Sequence, residues 1–429
     1  MFQNWAQNHR CEPTQRAQIA SVDDAVALVD RARHQHLPIR CVGAGHSWSD
    51  VACTSGILAS TDGLSDVLDI DTTSGLVRVQ GGARLKDLNV ALAKAGLGFS
   101  VLGSISEQSI AGATSTGTHG SGITFGNLAT AIRGMKIVTG TGELLELTAD
   151  DPRLAGAALA LGALGIITEI TFQAEPAFLL EETRWSLSFS DAVRQMDTIV
   201  GEHEHVKFWW LPHTDQVAVF AANRTTKRPS PPSALATRLD TLANDYAFTA
   251  ILGLGQRVPA VVPSLNRALN AVYFKEGTTV DRSDRVFNLA MPPRHQEAEF
   301  GIPAVHAAEF LDLTRSTIER LKLKVNFIQE VRFVAEDDLW LSNAHGRSSC
   351  QFGAYCGDSV HAQPFFDAIE TLADGFDARP HWGKQFNATR DTLAPRYPRW
   401  TDFEALRNVC DPEGIFANGF VRRLFDVVD

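Results

Sequence analysis

The sequence predicts a chain of mixed helix and strand, folded as two or three domains. Three observations carry this. The 429 residues exceed one ordinary domain, at roughly 100–200 residues per domain. The first third alternates helix-period and strand-period segments around two glycine-rich stretches. After about Glu175 the composition shifts. Most tryptophans lie between there and Leu393, with the basic, proline-rich stretch Lys227-Arg228-Pro229-Ser230-Pro231-Pro232. Periodic segments flank that stretch closely, so it reads as a surface loop and not a domain linker.

The elements follow in order. Ser21 is an N-cap, and Ala25, Val26, Val29 and Ala32 recur at helical spacing through Arg33. Pro38 precedes a strand-like run, Ile39 to Val42, that ends in Gly43-Ala44-Gly45. Gly75 to Gln80 alternates like a strand. Arg84 to Ala95 places Leu85, Leu88, Leu92 and Ala95 on one helical face. Met135 to Val138 and Glu143 to Leu147 flank Thr139-Gly140-Thr141-Gly142, a hairpin signal, and Ile166 to Phe172 is a further strand. Near the C-terminus, Asp411-Pro412-Glu413-Gly414 is a turn, followed by a strand or tail around Phe420 to Phe425.

Composition excludes several functions. Hydrophobic residues make up 44% and charged residues 21%, which excludes collagen-like and disordered chains. Lys plus Arg number 39 against 50 Asp plus Glu, a net charge of -11. Such a chain is repelled by phosphate backbones, so no nucleic-acid partner is expected. Cys11, Cys41, Cys53, Cys350, Cys356 and Cys410 form no C-x-x-C pair and read as free thiols in a reducing compartment. The N-terminus lacks a signal-peptide core. The apolar run Leu154 to Ile167 is shorter than the ~18 residues of a membrane span. Another, Ala247 to Val262, is broken by Gln256, Arg257 and Pro259. A cytoplasmic protein without a membrane span is expected.

Two glycine-rich stretches are candidates for chemistry. One is Arg40 to Asp50, containing Gly43-Ala44-Gly45-His46-Ser47. The other is Gly112 to Gly122, too rich in Gly, Ser and Thr for a packed helix or central strand. Small residues after a strand let backbone N–H groups approach an anion such as a pyrophosphate. Gly383-Lys384 is followed by Gln385, so there is no Walker A loop, and no G-x-G-x-x-G follows a strand. A Rossmann-type NAD enzyme is disfavoured, and a large polar cofactor is favoured.

These two stretches resemble the FAD-binding domain of the vanillyl-alcohol-oxidase-type flavoproteins. Phe208 to His213, Gln329-Glu330-Val331-Arg332-Phe333, Arg379 to Lys384 and Asp411 to Asn418 are similar to the aldonolactone and alditol oxidase branch. The resemblance implies an α+β, two-domain fold. A PCMH-type FAD-binding domain would span residues 1–176. A substrate (cap) domain built on an antiparallel sheet would span 177–393. The segment 394–429 would return to the FAD domain, with the flavin at the interface. It implies FAD bonded covalently through His46. Val42, Gly43, Ala44, Gly45, His46 and Ser47 would contact the cofactor. So would Gly103, Ser109, Gly112, Ser115, Gly117, Thr118, Gly120, Ser121 and Ile167.

The resemblance also implies a catalytic set of Glu330, Arg332 and Lys384, which with Ser109 would touch the substrate. From the residues alone, Glu330 and Arg332 lie two apart in a strand-like run. Val325, Phe327, Val331 and Phe333 would point one way, and Asn326, Glu330 and Arg332 the other. Read so, they are either an ion pair on a solvated sheet or a pair facing substrate. The implied activity is oxidation of an aldono-1,4-lactone with O2 as acceptor, giving hydrogen peroxide. Alternatives are an alditol oxidase or a dehydrogenase using a cytochrome or quinone. Alditol oxidases carry His and Thr where Gln351 and Gly353 fall, which weakens the alditol reading. Gly103 is expected beside the flavin, where a missing Cβ opens room for O2 or permits an unusual backbone angle. No metal is expected. His203-Glu204-His205 reads as a solvated charged turn, and His119 as a hydrogen-bonding residue of the FAD site.

Overall fold

The computed structural model describes residues 1–231, 233, 238, 246, 248–289 and 293–427. Ser21 Oγ accepts from Asp24 N at 3.0 Å and starts the helix Val22–Gln35, which ends at His36 with φ of 51°. That helix buries Ala25, Leu28, Val29 and Ala32 against a small parallel sheet. Its middle strand, Ile57–Ser60, pairs with Gln15–Gln18 on one side and Ile39–Val42 on the other. Beside it lies a five-stranded antiparallel sheet, in the order Leu144–Thr148, Ile132–Thr139, Gly165–Gln173, Leu76–Gln80, Val67–Ile70. The predicted hairpin closes with Thr139 N donating to Glu143 O at 2.9 Å. The helix Leu85–Lys94 buries Leu85, Leu88 and Leu92. The apolar run from Leu154 divides into a one-turn helix, Leu154–Ala157, and the strand from Gly165. Among the described residues no helix is long and apolar enough to cross a membrane.

The cap is an eight-stranded antiparallel sheet. Its order is Gly277–Arg282, Leu179–Ser188, Gln216–Thr225, His205–Trp210, Gln329–Val334, Ser349–Cys356, Gln296–Pro303, Arg379–Pro380. Helices Phe189–Glu202, Ala307–Arg320 and Ala362–Asp374 cover it. Phe189 packs on Trp210 with ring centroids 5.1 Å apart, and Phe310 on Phe352 at 4.9 Å. Antiparallel register places directly opposed residues on one face. Trp209 opposes Glu330, Glu330 opposes Gly353, and Gly353 opposes Glu299; Tyr355 opposes Glu297. These residues form adjoining rows on the face turned away from the helices.

Three sequence expectations need correction. The stretch from Gly112 is not all loop. Ile110–Ser115 is a helix that buries Ile110, Ala113, Thr114 and Ser115, and its Thr114 hydroxyl donates back to Ile110 O at 3.0 Å. Small residues suit it because it packs against backbone: Ala111 N donates to Gly81 O at 3.0 Å. Phe420 to Phe425 is not a strand. Asn418 Oδ1 accepts from Val421 N and caps the helix Gly419–Leu424, which buries Phe420, Val421 and Leu424. Finally, the alternation from Val325 to Phe333 is interrupted. The chain bends at Phe327 and the strand begins at Gln329, whose amide donates to Phe327 O, Ile328 O and Tyr355 O. Phe327 therefore lines the same cavity as Glu330, not the opposite face.

The predicted turn at Asp411 is present, with Gly414 at φ of 65°. The Asp411 carboxylate accepts from Ile415 N and Phe416 N, both at 2.8 Å. This segment packs on the N-terminal sheet: Ile39 N donates to Ile415 O, and Asn418 Nδ2 to the carbonyls of Asp50, Val51 and Cys53. Buried Arg40 ties the two together through Val51 O, Leu161 O, Gly162 O and Phe416 O. Lys227 to Pro231 lie outside regular structure; Pro232 and Ala247 lie outside the described residues. All six cysteines are free thiols.

Candidate active site

Two cavities meet at His46, Ser47, Gln108 and Thr116. The narrower, about 120 Å³, runs along the first glycine-rich turn. It is lined by Val42, Gly43, Ala44, Gly45, His46 and Ser47, and by Ser109, Gly112, Ser115 and Ile167. Here the chain supplies donors. Among the described residues, the N–H groups of Ala44, Gly45, His46 and Ser47 have no protein acceptor. Gly45 has φ of 68°, and a Cβ on Gly43 would fall 2.0 Å from Ser109 Oγ. A turn of free N–H groups with no side chain over it fits an anionic pyrophosphate. The two cavities join at His46 into one space that runs from this turn to the cap sheet.

The larger cavity, about 490 Å³, lies between the glycine-rich segments and the cap sheet. His46 opens onto both. Its buried Nδ1 has no partner, its ring stacks on Trp5 at 5.8 Å, and burial lowers its pKa. It is a neutral imidazole with a free ring nitrogen, which suits a nucleophile.

Glu330 and Arg332 share one face and are both buried, at 4% and 8% exposure, so a solvated ion pair is ruled out. Arg332 Nη2 lies 2.7 Å from Glu330 Oε2 and donates to Ser104 Oγ at 2.6 Å. Glu330 also accepts from Trp209 Nε1 at 2.6 Å and from the Tyr355 hydroxyl at 2.9 Å. Burial alone would lower the Arg332 pKa. The Glu330 carboxylate, together with Tyr355 and Glu299, outweighs it, so the guanidinium stays charged. Gly353 has a reason here: a Cβ would sit 2.7 Å from the Tyr355 ring, which crosses it to reach Glu330.

Lys384 lines the same cavity but pairs elsewhere. Its Nζ donates to Glu297 Oε2 in a short ion pair, sits 4.0 Å from Glu299 Oε2, and lies 4.0 Å above the Trp48 ring centre. Glu299 in turn meets His119 Nε2 at 2.5 Å. His119 Nδ1 lies 2.9 Å from Gly120 O, an acceptor only, so Nδ1 carries a hydrogen. The short Nε2 contact therefore holds a second proton, on one partner or the other. Burial lowers the His381 pKa to about 4, and its Nδ1 accepts from Gly383 N at 3.1 Å. The ligand atoms of His119, Glu299 and His381 lie within 4.8 Å of one another, a spacing a metal would accept. The Lys384 charge beside Glu299 opposes a cation there.

Of the remaining expected residues, Gly103 and Thr118 line the larger cavity, whereas Ser109 lines the narrower one. Gly117, Gly120 and Ser121 line neither. Gly117 has φ of 79°, and a Cβ on Gly120 would fall 2.4 Å from Val101 Cγ2. Ser121 Oγ donates to Val206 O and accepts from Phe333 N, joining the loop to the cap. Gly103 opens no room: a Cβ would meet Thr118 Cγ2 at 2.8 Å, and its φ is not positive. Nor is His203-Glu204-His205 a solvated turn. His205 is 5% exposed, bonded to Ser121 O at 2.7 Å and stacked on Phe125. Gln351 is tied to Asn343 and Ser349 and does not line the cavity.

Sequence reasoning missed Glu297 and Glu299. The signal was present: Gln296-Glu297-Ala298-Glu299-Phe300 alternates carboxylate with apolar residue at strand period. It also missed Trp209 and Tyr355 as partners of Glu330, because antiparallel register is not visible in one strand alone.

Residues 170–424 match the D-arabinono-1,4-lactone oxidase family, and residues 13–148 match an FAD binding domain. The chain is 34% identical to L-gulono-1,4-lactone dehydrogenase of Mycobacterium tuberculosis, over 99% of both chains. It is 31% identical to L-gulonolactone oxidase of Bos taurus and 31% identical to an alditol oxidase of Streptomyces. Each match covers 99% of this chain and 98% of the relative. Cholesterol oxidase from B. sterolicum shares the fold, with a TM-score of 0.84 at 18% identity, covering 99% of this chain and 96% of that one. The chain belongs to the D-arabinono-1,4-lactone oxidase family, FAD-dependent oxidoreductases of vanillyl-alcohol-oxidase type.

Proposed function

We propose that the protein oxidises a ring carbinol of an aldono-1,4-lactone, of the L-gulono-, L-galactono- or D-arabinono-type. FAD would be held covalently through His46, and O2 would take the electrons to give hydrogen peroxide. The observation that carries this is one cavity lined by His46, the buried Glu330–Arg332 pair and Lys384. When bound, FAD accepts the hydride of the carbinol carbon. Arg332 and Lys384 stabilise the negative charge that develops on the carbinol oxygen. Glu330, held by Trp209, Tyr355 and Arg332, orients substrate hydroxyls. Trp5, Trp48, Phe327 and Tyr355 wall the cavity. Ser109 contacts the cofactor in the narrower cavity. The division into 1–176, 177–393 and 394–429 belongs to the same proposal, as does a cytoplasmic setting, which the six free thiols support.

The named lactone oxidases among the relatives support oxygen as acceptor. The Mycobacterium tuberculosis relative, a lactone dehydrogenase by name, supports a second reading with a cytochrome or quinone acceptor. Gln351, removed from the cavity, supports a lactone over an alditol. Turnover of a panel of lactones and alditols in air tests the reading. One peroxide released per lactone oxidised is expected. Alditol turnover without lactone turnover would overturn the substrate class. Lactone turnover that needs added cytochrome and yields no peroxide would replace oxygen by the second acceptor.

A further inference from the structure

The cavity contains more acid–base machinery than the proposed reaction has so far used, and the Glu330 carboxylate is the least free of it. Both its oxygens are engaged: Oε1 accepts from Trp209, and Oε2 from Tyr355 and Arg332. With three donors in place, taking a proton would mean giving up one of those bonds, whereas a further hydroxyl can still be bound at the remaining acceptor position. Glu297 is arranged differently. It is 1% exposed, and Lys384 holds Oε2, but Oε1 is buried with no partner. A buried carboxylate oxygen left without a donor is costly, so the site favours any ligand hydroxyl that supplies one.

A neighbour extends the pattern. His295 Nδ1 lies 2.8 Å from Pro293 O, which can only accept, so Nδ1 carries a hydrogen. Nε2 is also buried without a partner, 3.9 Å from Glu297 Oε2. Two buried polar atoms without a partner, Glu297 Oε1 and His295 Nε2, thus face the cavity wall, and Lys384 holds the other carboxylate oxygen. Burial would raise the Glu297 pKa, but Lys384 and then His295 outweigh it and lower it. The other titratable groups whose charge it feels are Glu299, His381 and Tyr355.

We infer that Glu297 takes the proton of the reacting hydroxyl, and that Glu330 binds substrate without acting as base. The inference rests on the lactone-oxidising reading above. The step balances. The substrate O–H bond breaks with its electron pair left on oxygen, and an O–H bond forms at Glu297 Oε1. The carbinol carbon gives its hydride, with two electrons, to FAD as the C=O bond forms. A positioned base contributes about 10²–10⁴-fold to such a step.

The test uses the FAD-loaded protein without oxygen. It compares wild type, Glu297→Gln and Glu330→Gln in two measurements: the rate of bleaching at saturating lactone, and calorimetric affinity for a deoxy-lactone lacking the reacting hydroxyl. Glu297→Gln is expected to keep the affinity and lose about 10²–10⁴-fold in rate. Its rate should also lose the fall on acidification that wild type shows as the carboxylate is protonated. Glu330→Gln is expected to lose affinity first. Formate added to Glu297→Ala should restore part of the rate, which a merely structural role would not allow. A Glu297→Gln rate near wild type overturns the assignment, and so does a loss of affinity that accounts for the whole effect. If the amide variant does not fold, Glu297→Asp decides. A lower rate at unchanged affinity supports the assignment, and an unchanged rate overturns it. Wild type that no lactone bleaches overturns the functional reading as well, an outcome distinct from a failure confined to Glu297.

Discussion

His46 is the residue where sequence and structure meet most closely. Its neighbours Gly43, Ala44 and Gly45 made it a candidate, and the structure supplies the chemistry: a partnerless buried Nδ1 on a ring kept neutral by burial. His46→Ala is expected to release FAD into the supernatant on acid precipitation, while wild type keeps its colour in the pellet. Absorbance of the two fractions decides it. Lys384 was legible only through its motif, since a lysine after a glycine carries no signal of burial. The structure adds its two carboxylate neighbours. Lys384→Met is expected to slow lactone-dependent bleaching by about 10²–10³-fold, the usual effect of removing one charge-stabilising group from a dry site. Stopped-flow absorbance checks this, and FAD retention should be unchanged. Gly103 shows the limit of reading single residues. Its missing Cβ makes room for a methyl of Thr118, which no local pattern announces.

At the scale of elements, capping and periodicity were readable, and pairing was not. Ser21 and the helix after it follow from a side chain that caps and an apolar stripe at helical spacing. Ile110–Ser115 was misread because composition outweighs everything else in six residues, and this helix is held by packing against backbone and not by propensity. Gly419–Leu424 was misread because its start signal is Asn418, a residue also common in turns. The alternation in Gln296–Pro303 was readable in principle. That its carboxylates face the same space as Glu330 depends on register across three strands. The turn at Asp411 is the element whose removal is easiest to foresee. Asp411→Ala loses two charge-assisted bonds to Ile415 N and Phe416 N and is expected to cost about 1.5–3 kcal/mol, measured by denaturant unfolding.

The whole molecule places its chemistry where two folded units meet. Neither glycine-rich segment nor cap sheet holds the full set. His46 comes from the first, Glu330, Arg332, Glu297 and Glu299 from the second, and Lys384 from the segment just past the last cap strand. The two are fastened at the site's edge: Gly122 N donates to Phe333 O at 2.7 Å, and Ala335 N to Phe125 O at 2.8 Å. Ordered motifs spread along the chain made this architecture legible from the sequence. The strand order of the cap was not, since it joins segments as distant as Leu179–Ser188 and Gly277–Arg282. The central claim is that this junction brings a sugar lactone to FAD in working geometry. Its most direct measurement is the flavin absorbance after anaerobic mixing of the purified protein with L-gulono-, L-galactono- and D-arabinono-1,4-lactone in turn. The account predicts that at least one lactone bleaches the yellow colour completely within a single turnover, with one oxidised lactone formed per flavin. A flavin that stays fully coloured with all three would contradict it.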